Sequence, residues 1–198
     1  MNNHSSMHDH VETAQIGFVT GNADKIRVFR EVFSGIDVSI IPNDRPEIQA
    51  DNGADIARET ALYYARKHGG FVIREDHSLY MHALHPFPGP YVHYFDQHMP
   101  METLLAMLHG AVDRSGFFEL NAAIANANGF SKTYSHRVPI QVAMAPSGSH
   151  GNFDKILMLQ GEDKTFSFKQ EQGVPASDVW HHNLNAIRKD LLAGILDR

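Results

Sequence analysis

The stretch FVIREDHSLYMHALHPFPGPYVHYF, residues 71–95, places two adjacent carboxylates shortly after an apolar run. The run 71–73 is typical of a buried strand, and Glu75 and Asp76 follow it. α/β proteins bind ligands at the carboxyl ends of their strands, and side chains alternate along a strand, so the two acids should point to opposite faces. Carboxylate oxygens also suit Mg²⁺. The stretch therefore predicts a metal or ligand site, with an ordinary charged strand end as the alternative.

The rest of the chain alternates between strand and helix patterns around this stretch. Short β-branched runs predict strands, and apolar residues at helical spacing predict helices. The expected strands are 16–20, 36–41, 71–76, 117–127, 132–145, 155–160 and 165–169, and the expected helices are 21–35, 55–70, 101–110 and 177–197. The segment FPGPY at 87–91 is typical of a rigid turn. This order predicts one α/β domain with a mixed sheet over residues 14–198, preceded by a flexible polar tail at 1–13.

Charge and composition exclude several classes of protein. The chain has 198 residues, a formal net charge of −6 and no cysteine. An acidic balance argues against nucleic-acid or membrane-surface binding, and no apolar run approaches the roughly 20 residues of a membrane span. The first residues lack the apolar segment of a secretory signal, and the absence of cysteine fits a reducing compartment. We therefore expect a cytoplasmic protein that binds neither nucleic acid nor membranes.

A second motif, TGNADK at 20–25, lies where a predicted strand gives way to a helix. Gly21 permits a close backbone approach, and the free N–H groups at a helix start attract anions. Thr20 and Asn22 add hydrogen-bonding groups, and Lys25 adds a positive charge. The motif predicts a phosphate-binding turn, with an ordinary Gly-Asn turn and helix cap as the alternative. It is not a P-loop, because the GxxxxGK[ST] spacing is absent.

Two weaker motifs do not indicate a functional site on their own. Glu47, in PEIQ at 46–49, follows a turn, where a single glutamate is usually a solvated charge. His181 and His182 begin the last predicted helix, where paired histidines more often cap or pack than bind metal. Adjacent residues on a helix do not share a face, so this pair cannot readily chelate one ion.

Taken together, these segments resemble the inosine triphosphate pyrophosphatase family. FVTGNADK, PEIQ, the 74–95 segment, GNFDKI at 151–156, KTFSF at 164–168 and HHNLNAI at 181–187 occur in the family's order. The resemblance implies a mixed, twisted central sheet with flanking helices and two lobes around a nucleotide cleft. It also implies a cytoplasmic homodimer that uses Mg²⁺ to hydrolyse noncanonical purine nucleoside triphosphates to monophosphate and pyrophosphate.

The resemblance also implies roles for individual residues. The phosphates would be bound by Thr20, Gly21, Asn22 and Lys25. The metal would be held by Glu47, Glu75 and Asp76. Asp76 would in addition accept the proton of the attacking water. The remaining substrate contacts would come from His77, Phe153, Asp154, His182 and Asn183.

The second half of the chain departs from the family pattern. Gly151 stands where the family has a base-stacking Phe, and His181-His182-Asn183 replaces Ser-His-Arg. The family's Lys before this signature falls near Ser177. Arginine only donates hydrogen bonds and so selects a 6-oxo base, whereas asparagine donates or accepts. We therefore expect weak discrimination between inosine and adenosine triphosphates, unless another side chain refills the gap. The candidates for refilling it are Lys132, Arg137, His181 and His182.

Three other interpretations remain open from the sequence. An enzyme of the same class could act on a different base, such as a pyrimidine or a modified nucleotide. A protein on the same scaffold could bind nucleotides with little turnover. A structural or interaction protein would show no stabilisation by nucleotides.

Overall fold

The computed structural model describes residues 16–175 and 177–196, so the tail predicted at 1–13 lies outside the described residues. Its strands are β1 (Ile16–Val19), β2 (Val38–Ile41), β3 (Phe71–Met81), β4 (Phe87–Gly89), β5 (Ser115–Asn126), β6 (Ser131–Val142) and β7 (Leu157–Leu159). Its α-helices are α1 (Ala23–Val32), α2 (Gly53–His68), α3 (Val92–His98), α4 (Met101–Met107), α5 (Phe166–Glu171) and α6 (His182–Leu192). Short 3₁₀ turns cover His82–Leu84, Phe153–Lys155 and Asp178–His181.

The strands form one mixed sheet in the order β2-β1-β3-β5-β6-β7, with β4 paired to β3. β1 is parallel to both β2 and β3, because α1 and α2 form the crossovers that parallel strands need. The pairings β3–β5, β5–β6 and β6–β7 are antiparallel. This arrangement confirms the predicted fold class of a mixed sheet with flanking helices. The extent of the domain, 14–198, stays a prediction.

Helices cover both faces of the sheet and build its apolar core. On one face, Phe18 of β1 stacks on Phe29 of α1 at 4.3 Å between ring centroids, and Leu184 of α6 joins the same cluster. On the other face, α2 packs Ala61 and Tyr64 against the sheet. A third cluster joins the far half of β3 to α4, β6 and the 3₁₀ turn at 153–155. None of the helices among the described residues has the length and apolar composition needed to cross a bilayer.

The acid pair lies in the middle of β3, whereas the sequence predicted that this strand ends at residue 76. β1 pairs with β3 only as far as Arg74, which lies opposite Val19. β5 continues to pair with β3 as far as Met81, so it supplies hydrogen bonds where β1 has ended. Glu75 and Asp76 therefore still adjoin the carboxyl end of a parallel strand, which is where α/β proteins place ligands.

One further prediction of local structure is wrong, and one helix was not predicted. The segment 165–169 forms the start of α5 and not a strand, because the Thr165 side chain accepts a hydrogen bond from the Phe168 backbone N–H at 3.2 Å and caps a helix. The region after FPGPY contains α3, which the sequence analysis did not predict. The last helix begins with a 3₁₀ turn capped by Ser177, and its α-helical part ends at Leu192.

Candidate active site

The phosphate-binding motif forms the turn between β1 and α1. The Asn22 side chain caps α1 by accepting a hydrogen bond from the Lys25 backbone N–H at 3.0 Å. The Thr20 hydroxyl accepts one from the Asn22 backbone N–H at 3.1 Å. A Cβ at Gly21 would meet no atom within 4 Å, so the space beside this glycine is open. The turn therefore exposes the start of a ten-residue helix to whatever enters that space.

Lys25 is the positive centre of the site. Its ammonium donates a hydrogen bond to the Glu75 backbone carbonyl at 3.3 Å. Desolvation lowers the pKa of Lys25, and the nearby charge of Glu75 opposes that shift, followed by the weaker influence of Asp76. An ammonium held in this way would form a strong, charge-assisted hydrogen bond with an incoming phosphate.

Glu75 and Asp76 point to opposite faces of β3, as alternation along the strand predicted. Glu75 faces α1; its Oε1 is buried and has no hydrogen-bond partner among the described residues. Burial raises the pKa of Glu75, but the imidazole of His77, 3.7 Å from the carboxylate, and the ammonium of Lys25 outweigh it and hold the pKa below its ordinary value. A buried carboxylate oxygen without a partner in the protein indicates that an ion or a water molecule pairs with it.

Asp76 lies against the N-terminus of α2. Its Oδ2 accepts a hydrogen bond from the Ser78 hydroxyl at 3.0 Å. A Cβ at Gly53, the first residue of α2, would lie 2.2 Å from that oxygen, so the helix approaches this closely only because residue 53 is glycine. Burial raises the pKa of Asp76, and the charge of Lys25 opposes the shift. A carboxylate with a raised pKa is better suited to accept a proton from water near neutral pH.

Glu47 reaches the same region from the loop before α2. It forms an ion pair with Arg74, whose Nη1 also donates to the Val19 carbonyl at 3.1 Å. Burial is the main cause that raises the pKa of Asp76, and the charge of Glu47 adds to it. Glu47 is thus placed beside the acid pair by β1 and β3, and is not an isolated solvated charge.

The acidic residues suit a cation that is shared with the substrate. Within residues 16–175 and 177–196, no three His, Asp or Glu groups lie close enough to hold one ion by themselves. Mg²⁺, however, usually takes only one or two carboxylates and fills its other positions with water and substrate phosphates. The unpaired Oε1 of Glu75 and the neighbouring carboxylates of Asp76 and Glu47 are the kind of ligands that such an ion uses.

A cavity of about 720 Å³ extends from this region and opens between α1 and α5. Its volume is in the range of small-molecule and cofactor sites. The phosphate end is lined by Asn22, Lys25, Glu75 and His77, and the other end by Phe118, Asp154, Phe166, Lys169, Trp180 and His181. The cavity therefore has one charged end and one end with several aromatic rings.

Trp180 dominates the aromatic end. Its ring makes edge contacts with Phe118 at 5.5 Å and with Phe166 at 5.9 Å between centroids. The ring of His77 lies nearly parallel to it, with centroids 6.2 Å apart. Trp180 was not among the site residues predicted from the sequence. Two features could have indicated it: it is the single tryptophan of the chain, and it directly precedes the His181-His182 pair.

Several residues predicted to bind substrate lie outside the cavity lining. Phe153 is buried in the core and packs edge-on against Phe95 at 5.5 Å between centroids. Asn183 is 1% exposed, and its amide donates to the Leu120 carbonyl at 2.7 Å. His182 is exposed and stacks on His136 at 4.1 Å.

Asp154 does line the cavity, and burial raises its pKa, with the charges of Asp96 and Asp24 adding to the effect. It lies on the 3₁₀ turn at 153–155. Of the predicted substrate-binding residues, the structure brings Asn22, Lys25, His77 and Asp154 to the same cavity. Thr20 and Gly21 belong to the turn that forms its phosphate end.

The Ham1 family matches residues 16–186 of the chain. A dITP/XTP pyrophosphatase of Methanopyrus kandleri is 32% identical over 175 residues, covering 87% of this chain and 92% of that protein. One of Thermococcus kodakarensis is 32% identical over 156 residues, covering 77% of this chain and 84% of the other. These matches confirm the resemblance that the motifs indicated.

Solved structures show the same fold. The HAM1 protein of Coxiella burnetii superposes with a TM-score of 0.77 at 19% identity, covering 91% of this chain and 99% of that one. The Ham1 protein of Staphylococcus aureus gives 0.73 at 22% identity with the same coverage. By sequence over most of its length, and with the fold in agreement, the chain belongs to the Ham1 family.

Proposed function

We propose that the chain hydrolyses noncanonical purine nucleoside triphosphates to the nucleoside monophosphate and pyrophosphate. The observation that carries this proposal is the cavity in which Lys25 and Glu75 adjoin the start of α1 at one end and aromatic rings lie at the other. The charges of Asp76 and Glu47 act on Lys25 from beside the cavity and do not line it. The expected reaction agrees with the activity named for the relatives from Methanopyrus kandleri and Thermococcus kodakarensis.

The turn between β1 and α1 would bind the phosphate groups of the substrate. The backbone N–H groups at the start of α1 and the Lys25 ammonium are the donors that adjoin the open space beside Gly21. Hydrogen bonds from charged donors to phosphate oxygens are roughly twice as strong as neutral ones. This contact would hold the β and γ phosphates and direct the α-phosphorus towards the acid pair.

One or two of the three predicted ligands, Glu47, Glu75 and Asp76, would hold Mg²⁺ together with phosphate oxygens of the substrate, because Glu75 and Asp76 point to opposite faces of β3. The ion, when bound, supplies positive charge that offsets the charge of the phosphates. Asp76 would accept a proton from the attacking water, a role that its raised pKa favours. Water then attacks the α-phosphorus, the bond between that phosphorus and the bridging α–β oxygen breaks, and pyrophosphate leaves with the electron pair.

The decisive experiment is a panel of nucleoside triphosphates with Mg²⁺, scored separately for pyrophosphate and for inorganic phosphate. We expect pyrophosphate from deoxyinosine, inosine and xanthosine triphosphates, with less than about a hundredfold preference over adenosine triphosphate in kcat/KM. Nucleotide-induced stabilisation without pyrophosphate would indicate a binding protein. The absence of both would overturn the proposal. The homodimer and the cytoplasmic location stay predictions.

A further inference from the structure

None of the cations expected to refill the base-binding end lies free at the cavity in the described part of the chain. Lys132 bonds to Asp190 at 2.6 Å, and Arg137 bonds to Glu119 at 3.0 Å, and neither lines the cavity. Lys169 does line it, but its ammonium bonds to both carboxylate oxygens of a glutamate, at 2.9 and 2.8 Å. The donor-only side chains of Lys132, Arg137 and Lys169 are therefore not available to select a 6-oxo base. Arg27 of α1 also lines the cavity, but it is half exposed and faces Asp24 at 4.0 Å and Glu31 at 3.8 Å on its own helix.

Trp180 offers a broad apolar face at the cavity, whereas Gly151, which stands where the family has its stacking Phe, does not line it. It is held by edge contacts to Phe118 and Phe166, so its ring is fixed before any ligand enters. It is only partly buried and lines the cavity. Stacking on an aromatic ring tolerates every base, because every base has a π-face.

His181 brings an unpaired polar atom to the same place. Its Nε2 is buried and has no hydrogen-bond partner among residues 16–175 and 177–196, and its Nδ1 lies 4.0 Å from the Asp178 carboxylate. Its neighbour His182 lies outside the cavity and stacks on His136. A neutral imidazole has one nitrogen that donates and one that accepts, so His181 can match either a carbonyl or an amino group on a base.

We propose that the base of the nucleotide stacks on Trp180 and that His181 Nε2 forms a hydrogen bond with its edge. This inference rests on the proposed function, because it assumes that the phosphates occupy the end of the cavity at Lys25. It assigns the two tasks of base stacking and base reading to residues of the 3₁₀ turn 178–181. The amide of Asn183, which bonds to the Leu120 carbonyl, takes no part in them.

The first test uses the intrinsic fluorescence of Trp180, which reports on this position alone because the chain has one tryptophan. Inosine monophosphate and ribose 5-phosphate differ by the base only, so they form a matched pair of ligands. We expect the nucleotide to quench the tryptophan emission and the sugar phosphate to leave it unchanged. Equal effects of the two ligands, or no effect at ligand concentrations that protect the protein from thermal unfolding, would overturn the proposal.

The second test uses variants and steady-state kinetics with Mg²⁺. Trp180→Leu should raise KM for inosine and adenosine triphosphates alike, by on the order of 10- to 100-fold, and leave inhibition by inorganic tripolyphosphate unchanged. Trp180→Phe should retain most of the affinity. His181→Ala should change the ratio of kcat/KM between the two nucleotides, whereas His109→Ala, the control at an exposed histidine outside the cavity, should not. A wild-type ratio in His181→Ala, or wild-type KM values in Trp180→Leu, would contradict the proposal.

The two tests separate this inference from the proposed function. Base-dependent quenching in a protein that releases no pyrophosphate would support the base contact and refute the hydrolytic activity. Pyrophosphate release without base-dependent quenching would support the hydrolytic activity and refute the base contact. Because the fluorescence test uses the unaltered chain, it stands even if Trp180→Leu does not fold.

Discussion

The two ends of the cavity are built on different physical principles. The phosphate end combines a helix start with Lys25 and Glu75, and the charges of Asp76, Glu47 and Arg74 act on it from beside the cavity. The base end combines aromatic rings with an imidazole, and the cations nearest to it are engaged by acids. Charge at the first end suits one chemical task, the transfer of a phosphoryl group, whereas ring stacking at the second end accepts many bases.

This difference explains why the reaction class is easier to infer than the substrate base. A turn such as 20–25 recognises phosphate through backbone N–H groups, which any sequence with the right local fold presents. Recognition of a base depends instead on which side chain points at its edge. A substitution at the phosphate end should therefore affect phosphate binding and turnover, and a substitution away from the cavity should affect stability alone.

The largest effect is expected for Asp76→Asn. The amide keeps the shape of the carboxylate but cannot accept a proton, so kcat for pyrophosphate release should fall by about 10²–10⁴. Thermal unfolding should occur at the same temperature or higher, because the substitution removes a buried charge that is disfavoured in the folded state. The matched control is Asp37→Asn, at an exposed position before β2. Near-normal kcat in Asp76→Asn would remove this residue from the mechanism.

A smaller effect is expected for Lys25→Met, which keeps the length of the side chain and removes its charge. Hydrogen bonds to charged groups contribute about 1.5–3 kcal/mol, so binding of inorganic tripolyphosphate should weaken by on the order of 10- to 100-fold. Inosine monophosphate, which lacks the β and γ phosphates, should be affected less. Lys189→Met, at an exposed position on α6, is the control. Equal losses for the two ligands would place Lys25 outside the β and γ phosphate site.

Sequence patterns predicted the phosphate end well because its geometry is local. The β1–α1 turn involves six consecutive residues, and the alternation of Glu75 and Asp76 follows from the strand itself. The position of the acids within β3 was not predictable in the same way. The strand continues to Met81 because β5 pairs with it there, and that partner is about 40 residues away in the chain.

The base end depends on long-range packing, and its prediction was correspondingly incomplete. The segment 165–169 alternates in polarity like a strand, yet Thr165 caps a helix and the Phe166 ring packs against Trp180. The 3₁₀ turn at 178–181 changes the direction of the side chains that follow it. A motif match at Asn183 could not reveal that this side chain turns inwards to Leu120 while His181 adjoins the cavity.

A third prediction tests whether Asn183 is structural. Its amide donates to the Leu120 carbonyl inside the protein, so Asn183→Ala removes a buried hydrogen bond, at a cost of about 0.5–1.5 kcal/mol in the free energy of unfolding. The thermal midpoint should fall by several degrees, roughly 2–4 °C per kcal/mol for a chain of this size. Asn185→Ala, at an exposed position on the same helix, should change neither the free energy of unfolding nor the thermal midpoint. A changed ratio of kcat/KM between inosine and adenosine triphosphates, with unchanged stability, would return Asn183 to the base end.

The smallest effect concerns Asp190 of α6, which ties that helix to β6. Hydrogen bonds from Lys132 at 2.6 Å and then from Tyr134 at 2.7 Å hold the pKa of Asp190 below its ordinary value. The contribution of the Asp190 carboxylate to the free energy of unfolding is therefore fully present above its unfolded-state pKa of about 3.9. That contribution is lost as the pH falls through the lower folded-state pKa. Asp190→Asn should unfold at a lower temperature than the wild type at neutral pH, and the difference should shrink in acid.

The control for these two measurements is Asp163→Asn. The Asp163 side chain is 87% exposed, so this substitution should change the unfolding temperature little at any pH. The same circular-dichroism melts on Lys132→Ala should repeat the behaviour of Asp190→Asn, because the two variants break one contact from opposite sides. Lys132→Ala should also keep the wild-type ratio of kcat/KM between inosine and adenosine triphosphates, since its ammonium is engaged by Asp190 and does not line the cavity. If that ratio shifts while acid stability stays as in the wild type, Lys132 reaches the base in the bound state, and the contrast between a charged end and an aromatic end no longer holds.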